Sequence, residues 1–193
     1  VRGNEFVDNR NERGFNELRG YFIDEGGFLS SMDQPAEVSV LEQGPLFVKV
    51  AVKGKIGKYS FTQTIRLTQG EPRIDMSVKL DWIGSPRIGE PGIEFRADNP
   101  RKSFYDDRYK LLVYLPIQIA NQQIYKDAPF DVCESRLENT FFNRWDSIKH
   151  NIILNWVDVA SKDNSCGLSL FTDHTTSYAH GKDFPLALNV QYA

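Results

Sequence analysis

Between residues 73 and 82 the chain alternates without a break: Ile74, Met76, Val78, Leu80 and Trp82 share one parity, and Arg73, Asp75, Ser77, Lys79 and Asp81 the other. Successive side chains of an extended chain point to opposite faces, so this run predicts a half-buried β-strand and does not suit a helix of period 3.6. Residues 59–67 repeat the pattern, with Tyr59, Phe61, Ile65 and Leu67 on one face and Gln63 as the one polar intruder. The turn residues Gln69, Gly70, Glu71 and Pro72 join the two runs into a long hairpin. Upstream, Leu46, Val48, Val50 and Val52 alternate with Phe47, Lys49, Ala51 and Lys53, and residues 54–58 supply another turn. Three consecutive antiparallel strands are therefore expected.

Further on, Tyr109, Leu111, Val113, Leu115, Ile117 and Ile119 alternate as well. Pro116 has no N–H to donate and must mark an edge, a bulge or a strand end. Three more candidate strands carry Ile152, Leu154 and Trp156, then Leu168 and Leu170, then Leu186, Leu188 and Val190. No stretch holds a helical period over ten residues, and residues 139–149 are the best helical segment. Polar loops span 24–35, 84–92 and 98–107, the last two too long for simple hairpin turns. The expected fold class is all-β, an antiparallel β-sandwich of roughly nine to twelve strands. At 193 residues it reads as a single domain, 1–193, burying roughly 70% of its unfolded surface without staples. No repeat of propeller or solenoid length is present.

Charge narrows the partners. With 23 Lys+Arg against 26 Asp+Glu the formal charge is −3, which lacks the clustered basic excess of a nucleic-acid grip. No apolar run approaches the ~20 residues of a membrane span. The first ten residues are polar, lack an initiator Met and carry no signal peptide, so the chain is expected to be a piece of a longer protein. Cys133 and Cys166 are too few for a disulfide framework or a four-ligand zinc site. They read as two small buried apolar residues, with a single bridge, their redox state and the compartment left open.

Chemistry-bearing residues are sparse. Gly-x-Ser-x-Gly, Walker and dinucleotide signatures are all absent. Of His150, His174 and His180, the last two sit six apart in a loop-like segment. That spacing is no helical metal motif, and exposed loop polarity competes with a metal or acid/base role. A glycosidase needs two facing carboxylates, and sequence pairs none of the 26. Asp106 and Asp107 are adjacent: in a strand their side chains would point to opposite faces, and in a loop they are expected to be solvated. Asp158, in Trp156-Val157-Asp158-Val159, needs a partner, either by bonding a neighbouring loop or by lining a site. The densest aromatic cluster is Asn139-Thr140-Phe141-Phe142-Asn143-Arg144-Trp145-Asp146. It offers rings to stack on a pyranose and polar groups for its hydroxyls, or else it plugs one end of the sandwich. The carbohydrate-contact candidates are therefore Asn139, Arg144, Trp145 and Asp158.

The order of several segments carries a resemblance. Val40-Leu41-Glu42-Gln43-Gly44-Pro45-Leu46-Phe47-Val48-Lys49-Val50, then Phe61-Thr62-Gln63-Thr64-Ile65-Arg66-Leu67, then Arg73-Ile74-Asp75-Met76-Ser77-Val78-Lys79-Leu80-Asp81-Trp82 resemble the C-terminal β-domain of glycoside hydrolase family 38 α-mannosidases. Tyr125-Lys126-Asp127-Ala128-Pro129-Phe130, Asn139-Thr140, Trp156-Val157-Asp158-Val159 and Gly167-Leu168-Ser169-Leu170 follow in the family's order. The resemblance implies a galactose-mutarotase-like β-sandwich, or supersandwich, that packs on the catalytic domain of the same polypeptide and helps shape its sugar pocket. It also implies retaining hydrolysis of terminal α-mannosides by the parent, with an aspartate nucleophile and a zinc ion held in that catalytic domain. The family's histidine and aspartate zinc motifs do not occur in these 193 residues, so this chain is expected to hold no metal, no catalytic residue and no activity alone. Its expected partners are the catalytic domain and mannose-containing glycans, in a secreted or periplasmic enzyme.

Three departures stand out, one of them Asn143-Arg144-Trp145-Asp146, whose surroundings differ from the family's acidic-tryptophan segment. The last strand, residues 186–192, lacks the basic residue some members carry there, and residues 84–107 form an insertion where glycan specificity would be decided. A stand-alone carbohydrate-binding module is the alternative. A mutarotase-type epimerase would need His and Glu converging on a concave face, and no His sits on a clearly alternating strand.

Overall fold

The computed structural model describes residues 5–91, 107–135, 151–181 and 183–191. Fourteen strands occur among them: β1 (Glu17–Phe22), β2 (Gly27–Ser30), β3 (Glu37–Gln43), β4 (Phe47–Ile56), β5 (Tyr59–Thr68), β6 (Ile74–Asp81), β7 (Leu111–Leu115), β8 (Gln122–Ala128), β9 (Asp131–Ser135), β10 (Ile152–Ile153), β11 (Trp156–Ser161), β12 (Gly167–Phe171), β13 (Thr176–Gly181) and β14 (Phe184–Gln191). Two short 3-10 turns, Ile23–Glu25 and Asp107–Tyr109, complete the inventory, and no α-helix occurs among the described residues. The expected helical segment 139–149 lies outside them. The strand count exceeds nine to twelve because short elements such as β2 and β10 hold too few residues for alternation to show. β2 lies inside the expected loop 24–35, and the first 3-10 turn overlaps its start.

The strands form three sheets, ordered β10-β13-β14-β7-β1-β2, β12-β11-β8-β9 and β3-β4-β5-β6. β1 pairs antiparallel with β7, and the ladders among β3 to β14 are antiparallel too. The chain divides into two compact units, Leu29–Pro86 and the remainder, Val1–Phe28 with Arg87–Ala193.

Within the larger unit two sheets pack face to face. Ile124 of β8 and Val157 and Val159 of β11 meet Ile153 of β10, Tyr178 of β13 and Leu186 of β14 in one buried cluster, joined by Ile117 and Ile119. This is the sandwich core that alternation anticipates. β7 lies between β14 and β1, and all five of its residues are buried. It is covered on both faces, so the period-two signal marks its existence but not a solvent side. Pro116 follows its last residue, and its carbonyl accepts the Asp8 N–H at 3.1 Å. Of the three readings open for this proline, the strand end is the one observed.

The smaller unit is a four-stranded meander. Its register lines up Val40, Val50, Ile65 and Met76 across the four strands, and Val38, Val52, Gln63 and Val78 beside them. This apolar face is covered at one end, where Ile56, Tyr59, Phe61 and the intruder Gln63 are buried. At the other end it is open, with Val40 59%, Ile74 52% and Leu67 44% exposed. The turn expected at 54–58 is tighter: β4 runs on to Ile56, Ile56 pairs with Tyr59, and Gly57 turns the chain at φ +59°. Gly54 is therefore a strand residue.

Candidate functional site

Of the four carbohydrate-contact candidates, Asn139, Arg144 and Trp145 lie outside the described residues, as do Phe141, Phe142 and His150. Asp158 is placed in the middle of β11. The core takes Val157 and Val159, so the pleat turns Trp156 and Asp158 to the opposite, outer face of the β12-β11-β8-β9 sheet. Asp158 pairs across the ladder with Ser169 on β12 and Tyr125 on β8, and the Ser169 hydroxyl donates to Asp158 Oδ1 at 2.5 Å. The partner this carboxylate needs is thus a strand neighbour rather than a loop, and its surroundings are half exposed rather than buried.

The register arranges this outer face in rows. Ser169, Asp158, Tyr125 and Glu134 form one row, and beside it Phe171 pairs with Trp156 and Asp127 with Val132, the two pairs joined by the Trp156 N–H to the Asp127 carboxylate. Phe171 is 75% exposed and Val132 56%. At the same end of the sheet, Phe130 caps the β8–β9 turn, fully exposed and with φ +67°. A bulky L-residue in the left-handed region behind a proline occupies a position that glycine or asparagine ordinarily fills, at a cost of about 1–2 kcal/mol.

Asp127 fixes where this face begins. Its carboxylate accepts the backbone N–H of Leu154 at 3.0 Å, Asn155 at 2.7 Å and Trp156 at 3.3 Å, and the Asn155 side-chain amide at 2.9 Å. Burial pushes the Asp127 carboxyl up, but these donors outweigh it and hold the group below its ordinary value. Sequence reading treats Ile152, Leu154 and Trp156 as one alternating strand. The structure instead breaks the run at Leu154 and Asn155, where the chain bends onto Asp127 before β11 starts.

A second polar cluster is internal. Asp107, expected to be solvated, is completely buried. It forms an ion pair with Lys110 Nζ at 2.6 Å and accepts a hydrogen bond from Asn151 Nδ2. Asn151 Nδ2 also donates to the Tyr178 carbonyl at 2.7 Å, and the Asn151 carbonyl accepts the Tyr178 N–H at 3.0 Å. The Tyr178 hydroxyl bonds Ser135 Oγ, and burial raises the phenol to about 12. Ser135, Asn151 and Asp107 are thereby tied to one another through β13. No sequence signal marks this cluster, because its members lie far apart along the chain.

Of the two described histidines, His174 is exposed, with Nδ1 2.5 Å from Asp173 Oδ1. His180 is not loop polarity: it lies on β13 and is buried, on a strand whose first five residues are all buried and which therefore shows no alternation. Its Nδ1 lies 3.0 Å from the Phe184 carbonyl, so that nitrogen carries the donating hydrogen, and Nε2 lies 2.7 Å from the Gln122 side-chain amide. Burial lowers its pKa. Gln122 Oε1 is the atom placed against Nε2; a neutral ring with Nδ1–H accepts there, so it pairs with this amide only in the flipped sense, NH₂ toward the ring. Among the described residues no group of three or more His, Cys, Asp or Glu is arranged to hold a metal ion. Cys166 is exposed and Cys133 half-buried, both as free thiols, so neither is the buried apolar residue expected.

An antiparallel β-sandwich with polar groups on an outer sheet face and in a buried cluster is an all-β domain by class. Residues 21–189 match the model of the glycosyl hydrolases family 38 C-terminal domain, and the chain belongs to that family. This places it among the non-catalytic domains of glycosidases. No curated protein and no solved structure matches the chain.

Proposed function

We propose that this chain is the C-terminal β-domain of an α-mannosidase, packing on the catalytic domain of the same polypeptide and helping to shape its sugar pocket. The observation that carries the reading is the family 38 C-terminal match across residues 21–189 of an antiparallel β fold. The open end of the β3-β4-β5-β6 sheet supports packing: an aligned row of Val40, Val50, Ile65 and Met76 leaves apolar area exposed on one side of the meander. Contiguous apolar surface of this kind marks an interaction site. The catalytic domain is the occupant to which a C-terminal domain is covalently tied.

In this reading the parent hydrolyses terminal α-mannosides with retention. The aspartate nucleophile and the zinc ion belong to the catalytic domain, and zinc when bound there holds the mannose hydroxyls. This chain supplies walls rather than chemistry and is inactive alone. The test is mannose release from a terminal α-mannoside by the intact parent, with and without a chelator, beside the isolated 193-residue chain. Chelator-sensitive release by the parent alone is the expected result. A folded, metal-loaded parent that cleaves no α-mannoside overturns the reading.

A further inference from the structure

We propose that the outer face of the β12-β11-β8-β9 sheet is a binding surface for neutral glycan chains, with Phe130, Trp156, Phe171 and Tyr125 as stacking rings and Asp158, Glu134 and Ser169 as the groups that meet hydroxyls. This face interleaves rings with acceptors: Phe171 and Trp156 are cross-strand partners, and Ser169, Asp158, Tyr125 and Glu134 run beside them. A pyranose presents the matching chemistry. Its C–H face displaces water from an aromatic ring, while its hydroxyls donate to carboxylates, which only accept, and bond in either sense with a serine hydroxyl.

Charge selects against other ligands. These positions carry Asp127, Asp158 and Glu134 and, among the described residues, no Lys or Arg. Phosphates, nucleic acids and acidic polysaccharides would be repelled, whereas a neutral polyol is not. The fold has no use of its own for the rings at the edge. Phe171 is 75% exposed, and Phe130 combines full exposure with a left-handed backbone at φ +67°. An exposed aromatic held in a disfavoured conformation is an outlier that stability does not explain.

The experiment is affinity electrophoresis of the intact parent polypeptide in gels containing soluble mannan, with Phe130→Gly and Phe171→Ala beside the unmodified protein. The choice of mannan rests on the mannosidase reading; the surface itself does not. The unmodified protein is expected to be retarded, and each variant to bind roughly tenfold more weakly, the size of one aromatic contact. Phe130→Gly relieves the backbone, so its melting temperature is expected at or above that of the unmodified protein, which separates ring loss from unfolding. Hydroxyl-radical footprinting should find Phe130 and Phe171 oxidised in the free parent and protected by mannan. Absence of retardation, retardation unchanged in both variants, or rings already protected without mannan because another part of the polypeptide covers them, overturns the proposal. Retardation without hydrolysis of any α-mannoside would sink the mannosidase reading and leave this surface standing.

Discussion

The Asp127 carboxylate on β8 accepts the backbone N–H of Trp156 at 3.3 Å, while the N–H groups of Leu154 and Asn155 close on the same carboxylate at 3.0 and 2.7 Å. One side chain therefore sets both the end of a bend and the first residue of β11. It decides which parity of Trp156-Val157-Asp158-Val159 enters the core and which reaches solvent.

Asp127→Ala removes the acceptor for three backbone donors and is expected to lower stability by about 1–3 kcal/mol in urea or thermal unfolding. Asp127→Asn keeps one carbonyl oxygen and should lose less. Because the folded pKa is depressed, the carboxylate's contribution is present above its ordinary value of 3.8 and disappears as pH falls below it. Asp127→Ala should flatten that part of the acid profile. An unchanged midpoint in Asp127→Ala would show that the bend holds itself.

The buried Asp107–Lys110 pair makes a sharper demand. Asp107→Ala leaves the Lys110 ammonium buried without this carboxylate and deprives Asn151 of an acceptor, at a cost of about 3–5 kcal/mol. The double change Asp107→Leu with Lys110→Met removes both charges together and should cost well under that sum. A double-mutant cycle by equilibrium unfolding measures the coupling, and strict additivity of the two single changes would refute it.

Two glycines of the meander separate steric from conformational cost. At Gly54 a Cβ would lie 2.8 Å from Phe61 Cζ, so Gly54→Ala must displace a buried ring and should destabilise by about 1–3 kcal/mol. Gly70 instead has a left-handed backbone, φ +79°, with no atom within 4 Å of a built Cβ. Gly70→Ala should cost only the conformational term of about 1–2 kcal/mol. Gly70→Asn, which tolerates that conformation, should recover most of it.

Stability should fall on both sides of neutrality for identified reasons. His180 has a folded pKa lowered by burial from its ordinary 6.5, so below that pH the unfolded chain takes up a proton that the fold refuses, and stability drops. At high pH, Tyr114 and Tyr178 are both raised by burial to about 12 from 10. Between those values the unfolded chain releases protons that the fold retains, and stability drops again. Melting temperatures across pH 5–11 read both limbs. His180→Gln should flatten the acid limb; a Tyr178→Phe protein with an unaltered alkaline limb would count against its assignment there.

Much of the architecture is legible in the sequence because a strand writes its period into side-chain choice. The runs around Ile65, Val78 and Val113 announce β5, β6 and β7, and the order of segments from Val40 to Leu170 points to the family that residues 21–189 then match. Periodicity does not say what lies opposite a face. The parity of Ile65, Leu67, Ile74 and Met76 is clear from the residues alone, yet Leu67, Ile74 and Met76 stand open while Tyr59 and Phe61 on the same face are buried.

The polar residues show the same division more strongly. Asp107 beside Asp106 looks like a solvated loop pair, and His180 six residues from His174 looks like loop polarity. Only the return of β13 against Asn151 and Asp107, and of Gln122 against His180, buries them. The sequence by itself determined that this chain is a set of antiparallel strands and, through their order, to which family it belongs, since both are local in the chain. Tertiary structure decided which parity became core, which carboxylates found donors and which aromatic rings stayed in water. Those outcomes depend on hydrogen bonds and contacts between residues as far apart as Asp127 and Trp156 or Ser135 and Tyr178, and no local pattern encodes such pairs.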